Sequence, residues 1–134
     1  MTTSPDLAPL SIIKAMTDAM AIKDYDAALP WFTDDCEYTN MPMGSVTGPA
    51  GVRQVLEPFF APTSANEFIV LRSAVQGDIV FTERLDRHLI DTGWVELPVT
   101  GVFEIRDGKI AVWRDYFDLG TIVRQWPALA ALAG

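Results

Sequence analysis

Cysteine, histidine and positive charge are all scarce in this chain of 134 residues. Its single cysteine, Cys36, excludes an internal disulfide and any cysteine-rich metal site. Its single histidine, His88, cannot build a histidine-rich zinc centre, and neither His-Glu-x-x-His nor paired-cysteine spacing occurs. A glycine-rich phosphate loop is also missing, so neither a metal nor a nucleotide cofactor is expected. Ten Lys and Arg face 18 Asp and Glu, for a net charge of −8. The basic residues stand singly, which argues against nucleic acid or an anionic membrane surface as partner. No apolar run approaches the roughly 18 residues of a spanning helix. The opening Met-Thr-Thr-Ser-Pro-Asp lacks the basic start and apolar core of a secretion signal. A cytoplasmic location is the expectation.

What is present is a large apolar fraction, 49%, enough for one globular domain spanning 1–134. Residues 7–23 place Leu10, Ile13, Met16, Thr17 and Met20 near helical spacing, which predicts an amphipathic helix. A short second helix, Tyr25–Phe32, is expected behind a cap at Asp24. Cys36–Met41 reads as a short strand stopped by Pro42, followed by a loop. Gly48-Pro49 opens a third helix with Val52, Val55, Leu56 and Phe59 on one side. The period then changes. Segments 67–75, 79–90, 94–105 and 110–117 are rich in Val, Ile, Phe and Trp. Gly77-Asp78, Thr92-Gly93 and Asp107-Gly108 separate them as tight turns, so they form a meander of antiparallel hairpins. Residues 119–133 read as a closing helix interrupted by Pro127, with Asp118 as its cap. Helices first and strands after predict an α+β layer fold in which a curved sheet makes a half-barrel closed by the N-terminal helices.

Chemistry concentrates on three strands. Alternation puts Arg84 and Asp86 on one face, Asp115 on the face of Trp113 and Phe117, and Tyr38 with Asn40. If these faces line one interior, an arginine lies between two carboxylates in an aromatic-walled pocket. Burying such ions costs several kcal/mol each unless they are fully paired. A carboxylate pair with separated protonation supplies both an acid and a base. Taken one at a time, the same residues have plainer readings. Arg-x-Asp on a strand is commonly a surface ion pair, and Tyr38 and Asn40 could simply end a strand. Glu83, Arg87 and Arg114 have the opposite parity and belong to solvent or a dimer contact. Cys36 reads as a small buried hydrophobe.

At these residues the sequence resembles the limonene-1,2-epoxide hydrolase family. The matching segments are Tyr-Thr-Asn-Met-Pro (38–42), Thr-Glu-Arg-Leu-Asp (82–86), Gly-Val-Phe (101–103) and Trp-Arg-Asp-Tyr-Phe-Asp-Leu (113–119). The order of elements also looks like the NTF2-like cone, a strongly curved mixed β-sheet closed around a deep apolar pocket. The resemblance implies a cofactor-free hydrolase that opens a small apolar epoxide to a vicinal diol in one step, as a homodimer. Asp86 would then be the acid, Asp115 the base, Arg84 the bridge, and Tyr38 and Asn40 the water holders. Met20, Leu97, Val99, Trp113 and Phe117 would wall the substrate pocket. His88 has the same parity as Asp86 and is a departure from an apolar wall. It reads either as a hydrogen-bonded histidine at the rim or as a polar contact to an oxygenated substrate. The outer face of the sheet, assigned Phe103 and Ile105, is the expected dimer contact.

Two other activities suit the same scaffold. One is isomerase or cyclase chemistry of the ketosteroid-isomerase or SnoaL type, where one Asp takes a proton alpha to a carbonyl. The arginine counts against it, because it favours ionised carboxylates. The other is non-catalytic binding of an apolar ligand, for which three buried charges bring little advantage.

Overall fold

The structure, a computed structural model, describes residues 8–132. Helix α1 (Pro9–Ala21) begins on a proline, whose missing N–H is not needed there, and buries Ile12, Ile13, Met16, Thr17 and Met20 on one face. Helix α2 (Tyr25–Ala28) is short. The Asp24 carboxylate caps it by accepting the Ala27 N–H at 3.1 Å. The expected helix to Phe32 instead tightens into a 3₁₀ turn at Leu29–Trp31, because Pro30 cannot donate an α-helical bond.

Strand β1 (Phe32–Asn40) therefore starts four residues ahead of Cys36. The following segment, expected as loop, turns back as a short strand β2 (Gly44–Thr47) paired to β1. Helix α3 (Gly48–Phe60) buries Val52, Leu56 and Phe60. The meander then runs as β3 (Ala65–Gln76), β4 (Ile79–Ile90), β5 (Gly93–Arg106) and β6 (Lys109–Tyr116). Asp107 and Gly108 both take positive φ in the β5–β6 hairpin, the conformation its Asp-Gly pair favours. The chain closes with α4 (Leu119–Gln125), capped by Asp118 onto Thr121 N at 3.0 Å, and a 3₁₀ segment Pro127–Leu132.

The sheet order is β2-β1-β6-β5-β4-β3, and β1 pairs parallel to β6 while every other pair is antiparallel. The sheet is mixed, curved and open rather than closed into a barrel. Register shifts in β1, β3 and at the end of β5 mark irregularities of the kind that bend strands. Alternation is clean along β4, which buries Val80, Thr82, Arg84, Asp86, His88 and Ile90. Among the described residues no helix is long and apolar enough to cross a membrane.

One expectation about packing needs correction. Phe103 and Ile105 are buried, not on the outer face. They share the parity of Leu97 and Val99 along β5, and Phe103 stacks on Trp113 with ring centroids 5.6 Å apart. The outer face carries Ile69, Phe81 and Tyr116 instead, with Leu85 and Pro98 in register beside Ile69 and Val102 beside Phe81. Of the helices that precede the meander it is α3 that closes the cavity, joined by the C-terminal segment. Val55, Leu56, Phe59 and Phe60 line it on one side, and Leu119, Ile122 and Leu129 on the other.

Candidate active site

Strand β4 brings Arg84 and Asp86 to the inner face, and β6 brings Asp115 there from two strands away. Arg84 is 1% exposed and grips both carboxylates through two adjacent edges of its guanidinium that share Nη2. Nε and Nη2 donate to Asp86 Oδ1 and Oδ2 at 3.0 and 2.9 Å. Nη1 and Nη2 donate to Asp115 Oδ1 and Oδ2 at 3.1 and 2.9 Å. Two bidentate pairs on one planar cation require arginine, since a lysine ammonium lacks the fork.

Trp113 adds a donor that the sequence reading treated only as wall. Its indole Nε1 donates to Asp115 Oδ1 at 2.7 Å. A buried tryptophan needs a partner for that N–H, and Asp115 lies two residues along the same strand face, which is the signal that could have found it. Trp113 is itself fixed between rings, with Tyr38 at 4.4 Å and Phe103 at 5.6 Å between centroids.

Gly101 is the second omission. It lies across the sheet from Asp115 on one side and Thr82 on the other. A Cβ built there would come 2.5 Å from Arg84 Nη1 and 3.0 Å from Asp115 Oδ1. Only glycine lets the arginine and carboxylate lie against this strand. A glycine inside a strand is the sequence mark of such an approach. The Thr82 hydroxyl, at the same place, is the one sealed side-chain polar atom without a hydrogen bond among the described residues.

Strand β1 supplies Tyr38 and Asn40, and its parallel register sets Tyr38 beside Trp113 and Asn40 beside Asp115. Asn40 Nδ2 donates to Tyr38 Oη at 3.1 Å. Tyr38, Asn40, Asp86 and Asp115 all reach the cavity wall, and Arg84 braces the carboxylates from behind. Leu97, Val99, Trp113, Phe117 and His88 line the cavity as the sequence reading has them. Met20 does not. It is fully buried in the core beneath α1, because the helix face carrying it packs away from the cavity. The cavity contains about 720 Å³ of empty space, its open mouth included.

Burial raises the Asp115 carboxyl above the ordinary carboxylate range, against the opposing pull of Arg84. Burial, and then the Asp115 charge, raise Tyr38 so far that it remains a phenol able to donate. Burial would weaken the Arg84 charge, but Asp115 and Asp86 outweigh it and raise its pKa. Burial and the Arg84 charge push His88 down to about 4, so it is neutral near pH 7. Among the described residues no group of three or more His, Cys, Asp or Glu is placed to hold a metal ion.

The residues of opposite parity form ion pairs on the outer face. Glu83 joins Arg72, Arg114 joins Glu37, and Arg87 joins Glu67 and Glu96 while lying 4.1 Å over the Trp94 ring.

Fold and site together define an NTF2-like cone holding a carboxylate pair on a shared arginine. Its architecture is similar to a putative SnoaL-like polyketide cyclase from Shewanella putrefaciens, with TM-score 0.79 and 15% identity over 90% of this chain and 96% of that one. That likeness concerns the fold alone. The model of the limonene-1,2-epoxide hydrolase catalytic domain matches residues 7–128. The chain is 32% identical over 107 residues to epoxide hydrolase EphG of Mycobacterium tuberculosis, covering 80% of this chain and 71% of that protein. It is also similar to the solved structure of an M. tuberculosis LEH-like epoxide hydrolase, with TM-score 0.76 and 29% identity over 92% of this chain and 95% of that chain. The chain belongs to the limonene-1,2-epoxide hydrolase family, and its enzyme class is that of an LEH-like epoxide hydrolase.

Proposed function

We propose that this protein adds water to a small apolar epoxide, cyclic or terpene-like, in one step and without a covalent intermediate. The observation that carries the reading is the single guanidinium held bidentately by two carboxylates on the wall of an apolar cavity. Opening the ring needs a proton for the leaving oxygen and a nucleophile for carbon. Asp86 acts as the acid and Asp115 as the base. Asp115 accepts three N–H bonds, two from Arg84 and one from Trp113, which favour its ionised form and oppose the burial that raises its carboxyl.

Asn40 Nδ2 donates to Tyr38 Oη at 3.1 Å, and the phenol O–H meets the Asn40 carbonyl only at a long 3.4 Å, a contact that a water inserted between them would replace. Tyr38 donates to that water, which donates in turn to Asn40 and Asp115. As the water oxygen bonds to carbon, the carbon–oxygen bond of the ring breaks. Asp115 takes a water proton and Asp86 gives its proton to the released oxygen. The pair ends with its proton exchanged, and transfer across the linked network resets it. Because the carboxylates share one cation, their titration belongs to the pair.

Purified protein assayed on cyclic and styrene-type epoxides should yield vicinal diols. A single turnover with excess enzyme in ¹⁸O-water should place one solvent oxygen in every diol. An unlabelled diol would mean that a carboxylate had attacked carbon, and would end the roles given to Tyr38 and Asn40. We place the active species in the cytoplasm as a homodimer, whose contact is the apolar outer face around Phe81.

A further inference from the structure

We propose that His88 is a substrate-recognition residue, and that the epoxide this enzyme takes carries a hydroxyl group that donates a hydrogen bond to His88 Nε2. The proposal rests on the hydrolase reading and names the substrate class for that site.

A chain of hydrogen bonds fixes the histidine. Thr63 Oγ1 donates to Phe60 O at 2.7 Å. Asn66 Nδ2 donates to Thr63 Oγ1 at 2.9 Å and to Ala21 O at 3.3 Å. The Ala21 carbonyl only accepts, so the amide nitrogen of Asn66 must face it and the amide oxygen must face His88. Asn66 Oδ1 lies 2.8 Å from His88 Nδ1. That oxygen also only accepts, so the Nδ1 position carries the proton. In the neutral ring Nε2 is then a bare acceptor.

Nε2 has no hydrogen-bond partner among the described residues, yet it is not among the side-chain atoms sealed away without one. His88 is 2% exposed and lies on the cavity wall, so what remains open to Nε2 is the cavity itself. Its nearest rings are Phe59, Phe60, Phe68 and Trp126, at 4.9, 5.9, 6.2 and 6.5 Å between centroids. Of these rings only Trp126 carries an N–H, and it makes no hydrogen bond to Nε2, so the donor must come with the ligand. A wholly apolar ligand would strip water from this acceptor and replace it with nothing, which is unfavourable. Asp86 and His88 stand two residues apart on one strand face, about 7 Å along β4. The hydroxyl therefore lies several bonds from the epoxide oxygen, on a mainly apolar skeleton.

The test uses two epoxides of equal size, one with a hydroxyl about 7 Å from the ring oxygen and one with methyl in its place. The wild-type enzyme should favour the alcohol in kcat/KM by about tenfold or more. His88→Leu should reverse the preference. His88→Gln should keep it, because its amide N–H can serve Asn66 and its carbonyl the ligand. Thermal melting checks folding, and His88→Met is a second apolar replacement should the leucine variant not fold. Equal wild-type kcat/KM for the pair, or a preference unchanged in the apolar variants, would overturn the proposal. Calorimetric titration of the two product diols reads recognition apart from turnover. Tighter binding of the hydroxylated diol without turnover of either epoxide would sink the hydrolase reading and leave the recognition role intact. Equal binding with turnover of both would do the reverse.

Discussion

At the scale of single residues, the site depends on satisfying charges that have left water. Asp115→Asn and Asp86→Asn should each lower kcat/KM by about 10²–10⁴-fold, the usual worth of a general acid or base. A rate within a few-fold of wild type in steady-state assays would remove that residue from the mechanism. Arg84→Ala should be inactive and also destabilised by about 3–5 kcal/mol, since it abandons two buried carboxylates. Denaturant titration reads that loss. His88 gives a pH prediction with a definite sign. Its folded pKa of about 4 lies below the usual histidine value of 6.5. The unfolded chain therefore binds more protons between these values, and stability is lost as pH falls from about 6.5 towards 4. His88→Leu should remove that component, so the difference in unfolding free energy between the two proteins should change across that window and level off above it.

At the scale of elements, each strand delivers its chemistry by alternation, and the backbone must let the pieces meet. Gly101 is where β5 yields space. Gly101→Ala should leave hairpin pairing intact yet displace Arg84, because the added methyl falls 2.5 Å from its Nη1. The expected outcome is a folded protein, by circular dichroism, with activity reduced by at least tenfold. Full activity would show that the guanidinium can shift without harm. The C-terminal helix is secured more modestly. Asp118→Ala removes the cap on Thr121 and should cost about 1 kcal/mol, within the range for such caps.

At the scale of the whole molecule, the curved sheet has one face committed to the core and cavity and one left with Ile69, Phe81 and Tyr116 at 39%, 44% and 43% exposure. Apolar rows on an outer face, here alternating with the Arg72–Glu83 ion pair, suit a contact surface. A second copy of the chain is the proposed occupant. Light scattering at micromolar concentration should return twice 14.8 kDa, and Phe81→Glu should return the single mass. A wild-type monomer would end the dimer proposal.

Much of this protein was legible in its sequence. Strand periodicity, Asp-Gly turns and capping aspartates are local, so the meander, the Asp24 and Asp118 caps and the shared face of Arg84 and Asp86 follow from nearest neighbours alone. The same alternation, counted through β5 from Leu97 and Val99, also puts Phe103 inside, against the outer face that the sequence reading assigns it. Features that depend on elements distant in the chain were decided only by the tertiary structure. The β2 return, the parallel join of β1 to β6 and the displacement of Met20 from the cavity arise from how the sheet curves and where α3 and the C-terminus settle on it. So do the contact at Gly101 and the Asn66–His88 pair. Each is a distance between residues that share no local pattern, fixed by packing a buried charge network against a bent sheet.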